Sequence, residues 1–249
     1  MQLFATYYPI AAFPLLVPVA IAYSLAGHLW CRLRGQPPLA PLPTPQQVSG
    51  RAKVAIVTGS NTGIGYETAR SLAVDYGMTV VLACRSRSKG EAAAQKIQRE
   101  GGTAVFVLLD LSSSESIKTF SNSMREKFNK QVGILVCNAG CNASTNEPVE
   151  NDRDWLYQVN FLGHFDLTAH LMDVLAPQAR IVTVASAMHH FITGNVETVE
   201  FWKDCASFSR PASASRYSAS KLAAVLFTIE LNRRYAGRVQ SVAVNPGGV

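Results

Sequence analysis

Residues Thr58-Gly59-Ser60-Asn61-Thr62-Gly63-Ile64-Gly65 constrain the fold of this chain more than any other stretch. They follow a short β-branched run, residues 54–58, and lead at once into a segment with helical spacing, residues 64–75. A strand that turns through three glycines into a helix has a physical purpose. Without a Cβ the backbone can come close to a bound anion, and the helix N-terminus presents N–H groups that have no partner inside the helix. At the first strand-to-helix junction of a strand–helix–strand unit, such a turn is the mark of a phosphate-bearing ligand.

The rest of the chain repeats the alternation. Residues 54–58, 79–83, 103–109, 133–137, 180–185 and 240–244 read as strands, apolar on both faces as buried parallel strands are. Residues 64–75, 88–99, 114–128, 154–175 and 215–235 carry helical spacing between them. Right-handed crossovers then give an α/β fold, a doubly wound parallel sheet of Rossmann-like type, in a single domain over residues 51–249. In such a sheet the glycine turn cradles the pyrophosphate of a dinucleotide. About 20 residues further on, an acid at the end of the second strand would bind a ribose 2′-hydroxyl. That place holds Ala83-Cys84-Arg85-Ser86, with no acid. A guanidinium matches phosphate geometry, so Arg85 favours NADP(H) over NAD(H).

Composition matters most at the N-terminus. Residues 1–31 contain no Asp, Glu, Lys or Arg, and Arg32 and Arg34 follow. Roughly 20 apolar residues suffice to cross a bilayer, and flanking positive charge stays on the cytosolic side. Residues 1–31 are therefore expected to form a transmembrane anchor, with the folded domain facing the cytosol. A cleaved signal peptide fits less well, because its charged n-region is missing. Residues 32–50, with Pro37, Pro38, Pro41, Pro43 and Pro45, read as a semi-rigid linker. The net charge of +6 comes from Lys and Arg scattered through helical stretches, which argues against nucleic acid as a partner and is compatible with membrane lipid. The five cysteines contain no C-x-x-C pair, and no metal-ligand cluster is visible.

Tyr217-Ser218-Ala219-Ser220-Lys221 opens the helix after the fifth strand. The i,i+4 spacing puts a phenol and an ammonium on one helix face. A free phenol ionises near pH 10, and a neighbouring cation favours its anion, which suits acid–base work near neutrality.

Together these motifs resemble the short-chain dehydrogenase/reductase family. Thr58 to Gly65 resembles its T-G-x-x-x-G-x-G fingerprint, and Asp110-Leu111 its adenine-contacting motif. Asn138-Ala139-Gly140 is similar to its N-N-A-G motif, with Cys137 in place of the first Asn. Asn160 falls where the family keeps a catalytic Asn, Ser186 closes the fifth strand, and Tyr217 and Lys221 form the Y-x-x-x-K pair. Pro246-Gly247 follow the sixth strand. The phrase Gly163-His164-Phe165, the long segment 187–216 and the N-terminal anchor resemble the retinol-dehydrogenase-like branch.

The resemblance implies an oxidoreductase interconverting an alcohol and a carbonyl on a lipophilic substrate such as a retinoid, on a membrane such as the endoplasmic reticulum, with a homodimer allowed. Tyr217 is then the proton donor or acceptor, Lys221 its electrostatic partner and ribose ligand, Ser186 the hydrogen-bonding partner of the substrate oxygen, and Asn160 the holder of a relay water. Gly59, Ser60, Asn61, Gly63, Ile64, Gly65, Arg85, Asp110, Leu111, Asn138, Ala139, Gly140, Pro246 and Gly247 are the expected cofactor-binding residues, with Tyr217 and Lys221. His164, His170, His189, His190, Trp155, Phe201 and Trp202 read as ordinary packing or surface residues.

The family continues past Pro-Gly with a Val/Ile-x-Thr stretch, a substrate lid and a seventh strand, whereas this chain ends at Val249. It is therefore expected to be C-terminally truncated, with its sixth strand as an apolar sheet edge. That ending motivates an alternative reading, a catalytically inactive cofactor-binding or partner-binding protein. A sugar-nucleotide epimerase also uses Y-x-x-x-K, but its G-x-x-G-x-x-G turn and longer C-terminal domain do not fit.

Overall fold

The computed structural model describes residues 53–142, 148–210 and 215–247. The expected anchor and linker, residues 1–50, lie outside the described residues, as does Val249. Among the described residues, no helix is long and apolar enough to cross a membrane.

Six strands form one parallel sheet: β1 (Val54–Thr58), β2 (Thr79–Cys84), β3 (Thr103–Leu108), β4 (Val132–Cys137), β5 (Leu175–Val184) and β6 (Val239–Val244), in the order β3-β2-β1-β4-β5-β6. The crossovers on the β2–β3 side are α1 (Gly63–Val74) and α2 (Arg87–Arg99), and α3 (Ser114–Phe128) returns the chain to β4. The order reverses between β1 and β4, and in an open sheet a ligand binds at the carboxyl ends of the strands at that switch. β1 is buried along its whole length because it pairs with β2 on one side and β4 on the other, while helices cover both faces. Ile56, Leu135 and Ile181 pack against Ile117, Phe120, Leu167 and Leu171 on one face. Val57, Val80 and Leu82 pack against Ala69, Ala73 and Ile97 on the other. Each such fully buried aliphatic side chain contributes roughly 1.5–3 kcal/mol.

The edge strands depart from the expectation of burial on both faces. Val105 and Leu108 of β3 are 38% and 44% exposed, and Val242 and Val244 of β6 are 42% and 37% exposed. Among the described residues both strands lie at the edges of the sheet, β3 beside β2 and β6 beside β5.

The expected helix 154–175 is also divided. A single α-turn at Trp155–Tyr157 and a π-helical turn at Gln158–Leu162 lead into α4 (Gly163–Leu171). Leu111, at the end of the β3 connection, gives the reason. Gln158 Nε2 donates to its carbonyl at 3.0 Å. Five residues on, Gly163 packs so tightly on Leu111 that an added Cβ would collide with that carbonyl and lie 2.8 Å from the Leu111 Cβ. Residues five apart share a face only where the helix widens to a π-turn. β5 then begins at Leu175, earlier than the expected residue 180, with Gln178 at φ 58° and its pairing to β4 shifted between Val132 and Ile134.

The segment before the Tyr–Lys helix contains an unexpected helix, α5 (Val199–Ala206), capped by the Thr198 hydroxyl, which accepts the Phe201 N–H at 3.3 Å. Phe201 and Cys205 pack on Ala219 and Ala223 of α6 (Arg216–Arg234). That packing and the Ser215 N-cap seat the first turn of α6, where Tyr217 and Lys221 lie.

Candidate active site

The glycine turn begins where β1 ends. Gly59 has φ +64°, and a Cβ there would lie 2.8 Å from the Ala139 Cα. At Gly65 a Cβ would lie 2.5 Å from the Gly59 carbonyl oxygen and would overlap the Asn138 side-chain amide. Asn138 Nδ2 donates to the Thr58 carbonyl at 2.9 Å and to the Gly59 carbonyl at 3.4 Å. The turn is thus braced from the β4 side, and only glycine permits that closeness.

A groove of about 530 Å³ opens above these residues. Gly59, Asn61, Ile64, Gly65, Arg85, Asp110, Leu111, Asn138, Ala139 and Gly140, all expected ligand contacts, line it. Two expected contacts line neither this groove nor the cavity that continues it. Ser60 is fully buried, its hydroxyl turned to the Val57 carbonyl at 2.8 Å and the Cys84 thiol at 3.6 Å. Gly63 does not line the groove and enters α1 with φ +58°. Asp110 Oδ1 accepts from the Ser112 N–H and hydroxyl at 2.9 and 2.6 Å, which fixes the carboxylate at the wall. At the far end Arg85 lies over the Trp155 ring, 5.6 Å from its centroid, with Ser86 and Lys89 beside it.

A second cavity, about 320 Å³, shares Ile64, Asn138, Gly140 and Cys141 with the first and continues it. Ser186, Tyr217, Lys221, Pro246 and Gly247 line this half. Ser186 lies just past β5 as the N-cap of a short 3₁₀ turn, Ala187–Phe191, where its hydroxyl accepts the Met188 N–H at 3.3 Å. Lys221 is almost fully buried; its Nζ donates to the Val184 carbonyl at 2.8 Å and sits 5.7 Å from the centre of the Tyr217 ring. Burial disfavours the ammonium and brings its pKa down to about 8, against a smaller opposing effect of Cys141.

Asn160 lines neither cavity. It is buried in the π-turn beneath them, and its amide holds the backbone of Cys141 and reaches the Ser220 hydroxyl at 3.3 Å. A Cβ built on Gly140 would lie 3.3 Å from Asn160 Oδ1 and 3.5 Å from Lys221 Nζ, so both groups converge behind that glycine. Sequence reasoning passed over Lys89 and Cys141, and left Trp155 and His164 as ordinary packing or surface residues. Trp155 and His164 come to the site only through the divided helix, and no spacing pattern marks them. Lys89, four residues after Arg85 at the start of α2, carries a periodic signal.

With strand order, glycine cradle and Tyr–Lys pair in place, the class of protein is defined. A sequence profile described as short chain dehydrogenase matches residues 53–196, more than half of the chain, and the chain belongs to that family. Retinol dehydrogenase 12 of Homo sapiens is 40% identical over 203 residues, covering 79% of this chain and 61% of that protein. The WW domain-containing oxidoreductase of Gallus gallus is 39% identical over 204 residues, covering 79% of this chain and 49% of that protein. The chain thus spans half to three fifths of the length of these curated relatives. A short chain dehydrogenase from Escherichia coli CFT073, solved with NADPH, is 25% identical with a TM-score of 0.62, covering 80% of this chain and 78% of that one.

Proposed function

We propose that the chain is an NADP(H)-dependent oxidoreductase that interconverts an alcohol and a carbonyl on a lipophilic substrate, retinoid or other lipid. The observation that carries this reading is the continuity of the two cavities: the half lined by Ser186, Tyr217 and Lys221 opens into the half cradled by Gly59 and Gly65. The cradle fits a pyrophosphate, because it is a place where a Cβ on either glycine would strike the opposite wall.

When bound, the nicotinamide supplies the hydride. The residues manage the proton and the oxygen. In carbonyl reduction the Tyr217 hydroxyl gives its proton to the carbonyl oxygen, and in alcohol oxidation it takes one back. The Lys221 ammonium favours negative charge on that phenol oxygen, and Ser186 donates a hydrogen bond to the substrate oxygen. Asn160 keeps the Cys141 backbone and the Lys221 end of the site in register. Arg85 supports the choice of NADP(H): it is a guanidinium lining the groove at the end of the second strand, where Ala83-Cys84-Arg85-Ser86 holds no carboxylate, and Lys89 adds a second cation.

The likeness to retinol dehydrogenases supports a lipophilic substrate, and the uncharged residues 1–31 followed by Arg32 and Arg34 support a membrane anchor with the domain in the cytosol. Turnover is tested by following NADPH oxidation with the full chain against a panel of aldehydes, ketones and retinals. Binding of NADPH without turnover of any of them would favour a cofactor-binding protein instead. Resistance to alkaline carbonate extraction, with the domain open to protease outside sealed microsomes, tests the anchor; release into the supernatant overturns it.

A further inference from the structure

His164 is 4% exposed and follows Gly163 at the start of α4, where it faces two parts of the site at once. Its Nε2 lies 2.9 Å from the Thr58 hydroxyl at the end of β1, and its Nδ1 lies 3.4 Å from the Asn160 carbonyl in the π-turn. The Thr58 oxygen decides which nitrogen carries the proton. It already accepts the backbone N–H groups of Asn138 and Ala139, both at 2.9 Å. A hydroxyl has two lone pairs and one proton, so with both lone pairs occupied it can only donate. The Val136 carbonyl, at 3.3 Å, is the more distant acceptor. If the proton went there, Nε2–H would have to press a third donor onto a saturated oxygen, or a bare Nε2 would be left without a partner in the core, which is costly.

We infer that His164 is a positioning residue for the reaction, a neutral imidazole protonated on Nδ1 that accepts from the Thr58 hydroxyl and donates to the Asn160 carbonyl. Burial acts in the same direction, holding its pKa down to about 4, with the charge on Lys221 adding to the effect. The two bonds close a ring. Thr58 holds Asn138 and Ala139; the chain runs on through Gly140 to Cys141; Asn160 holds Cys141; and His164 joins Asn160 back to Thr58. Asn160 lies in the π-turn, and the His164 ring reaches its carbonyl from the following turn of the same helical run. Through that ring His164 sets where Asn160 stands relative to Lys221 and couples it to the wall beside the glycine cradle.

The kinetic consequence rests on the oxidoreductase reading; the protonation state does not. Long-range ¹H–¹⁵N spectra of the full chain in detergent, labelled at its five histidines, read the tautomer directly, with the His164 signal assigned by its loss in His164→Gln. The expected result at pH 7 is a protonated Nδ1 and an unprotonated Nε2. A proton on Nε2, or on both nitrogens, overturns the inference. In turnover, His164→Leu is expected to lower kcat roughly ten- to a hundredfold with KM for the carbonyl and NADPH affinity little changed, the signature of misplaced groups. Gln carries an acceptor and a donor, so His164→Gln should recover most of kcat. Equal loss in both variants, or none in His164→Leu, overturns the positioning role. If His164→Leu does not fold, the tautomer still decides. If the unaltered chain turns nothing over, the oxidoreductase reading fails while the tautomer result stands by itself.

Discussion

Asn160 pairs with the backbone of Cys141 in both directions: its Oδ1 accepts the Cys141 N–H at 2.8 Å and its Nδ2 donates to the Cys141 carbonyl at 2.9 Å. A side-chain amide is well suited to this, since it holds an acceptor oxygen and an NH₂ with two donors in one plane, the second N–H here reaching Ser220. Asn160→Asp keeps the acceptor but sets a carboxylate oxygen against the Cys141 carbonyl. It is expected to lower stability by about 1–3 kcal/mol, the range for a buried group left without its partner. Denaturant unfolding of the two proteins checks this, and matching midpoints would show that the pairing contributes little.

Tyr217→Phe removes the transferred proton and leaves the cavity shape intact. Turnover should fall by roughly 10²–10⁴, the usual share of general acid–base catalysis. NADPH affinity should stay within a few-fold, because the hydroxyl acts chiefly in the transition state. Single-turnover kinetics and fluorescence titration separate the two. A variant with ordinary kcat would remove Tyr217 from the chemistry.

Arg85 lies over the Trp155 ring at the end of the groove that also carries Ser86 and Lys89. Charge-assisted contacts to phosphate are worth about 1.5–3 kcal/mol, so Arg85→Ala should weaken NADPH binding roughly ten- to a hundredfold while NADH binding changes little. Trp155→Ala should give a smaller loss in the same direction, by freeing the guanidinium. Equal weakening toward both dinucleotides would place Arg85 outside the 2′-phosphate site.

Gly65→Ala drives a methyl group into the Gly59 carbonyl and the Asn138 amide. The carbonyl is backbone, and the Asn138 amide is held by its bonds to the Thr58 and Gly59 carbonyls. The expected outcome is loss of NADPH binding together with destabilisation of about 1–3 kcal/mol. Calorimetric titration at 25 °C that shows unaltered affinity would mean that the turn does not cradle the dinucleotide.

Lys221 introduces a pH dependence of known sign. Its folded-state pKa is about 8, below the ordinary 10.5, so the fold disfavours the charged form. That penalty is fully present below pH 8, shrinks as pH rises, and is gone near pH 10.5, where the unfolded lysine also loses its proton. Relative to Lys221→Met, the unaltered chain should therefore gain stability between pH 8 and 10.5, on the order of 2–3 kcal/mol. Urea unfolding of both proteins at pH 7 and pH 10 measures the difference. A gap that does not change with pH would show an ammonium that remains solvated.

Local chemistry was legible in the chain itself. The positions of β1, β2 and β4 followed from β-branched runs, and the glycine turn and the Tyr217–Lys221 spacing followed from the backbone needs of a pyrophosphate cradle and the pitch of a helix. These features depend on residues close in sequence, where periodicity is informative. The π-turn at Gln158–Leu162 was not legible, because it arises from Leu111, whose carbonyl and side chain meet Gln158 and Gly163 from another part of the chain. The same holds for α5, whose residues are ordered by burial against α6, and for Ser60, whose place in the motif suggested a ligand contact but whose hydroxyl turns to Val57 and Cys84. His164 shows the difference most clearly. The Asn160 carbonyl is a local neighbour, four residues back, but only tertiary packing brings the Thr58 hydroxyl to its other nitrogen. Sequence specified which groups can do chemistry, and tertiary structure decided which of them meet, because hydrogen bonds act over about 3 Å while the partners can lie far apart in the chain, 106 residues for His164 and Thr58.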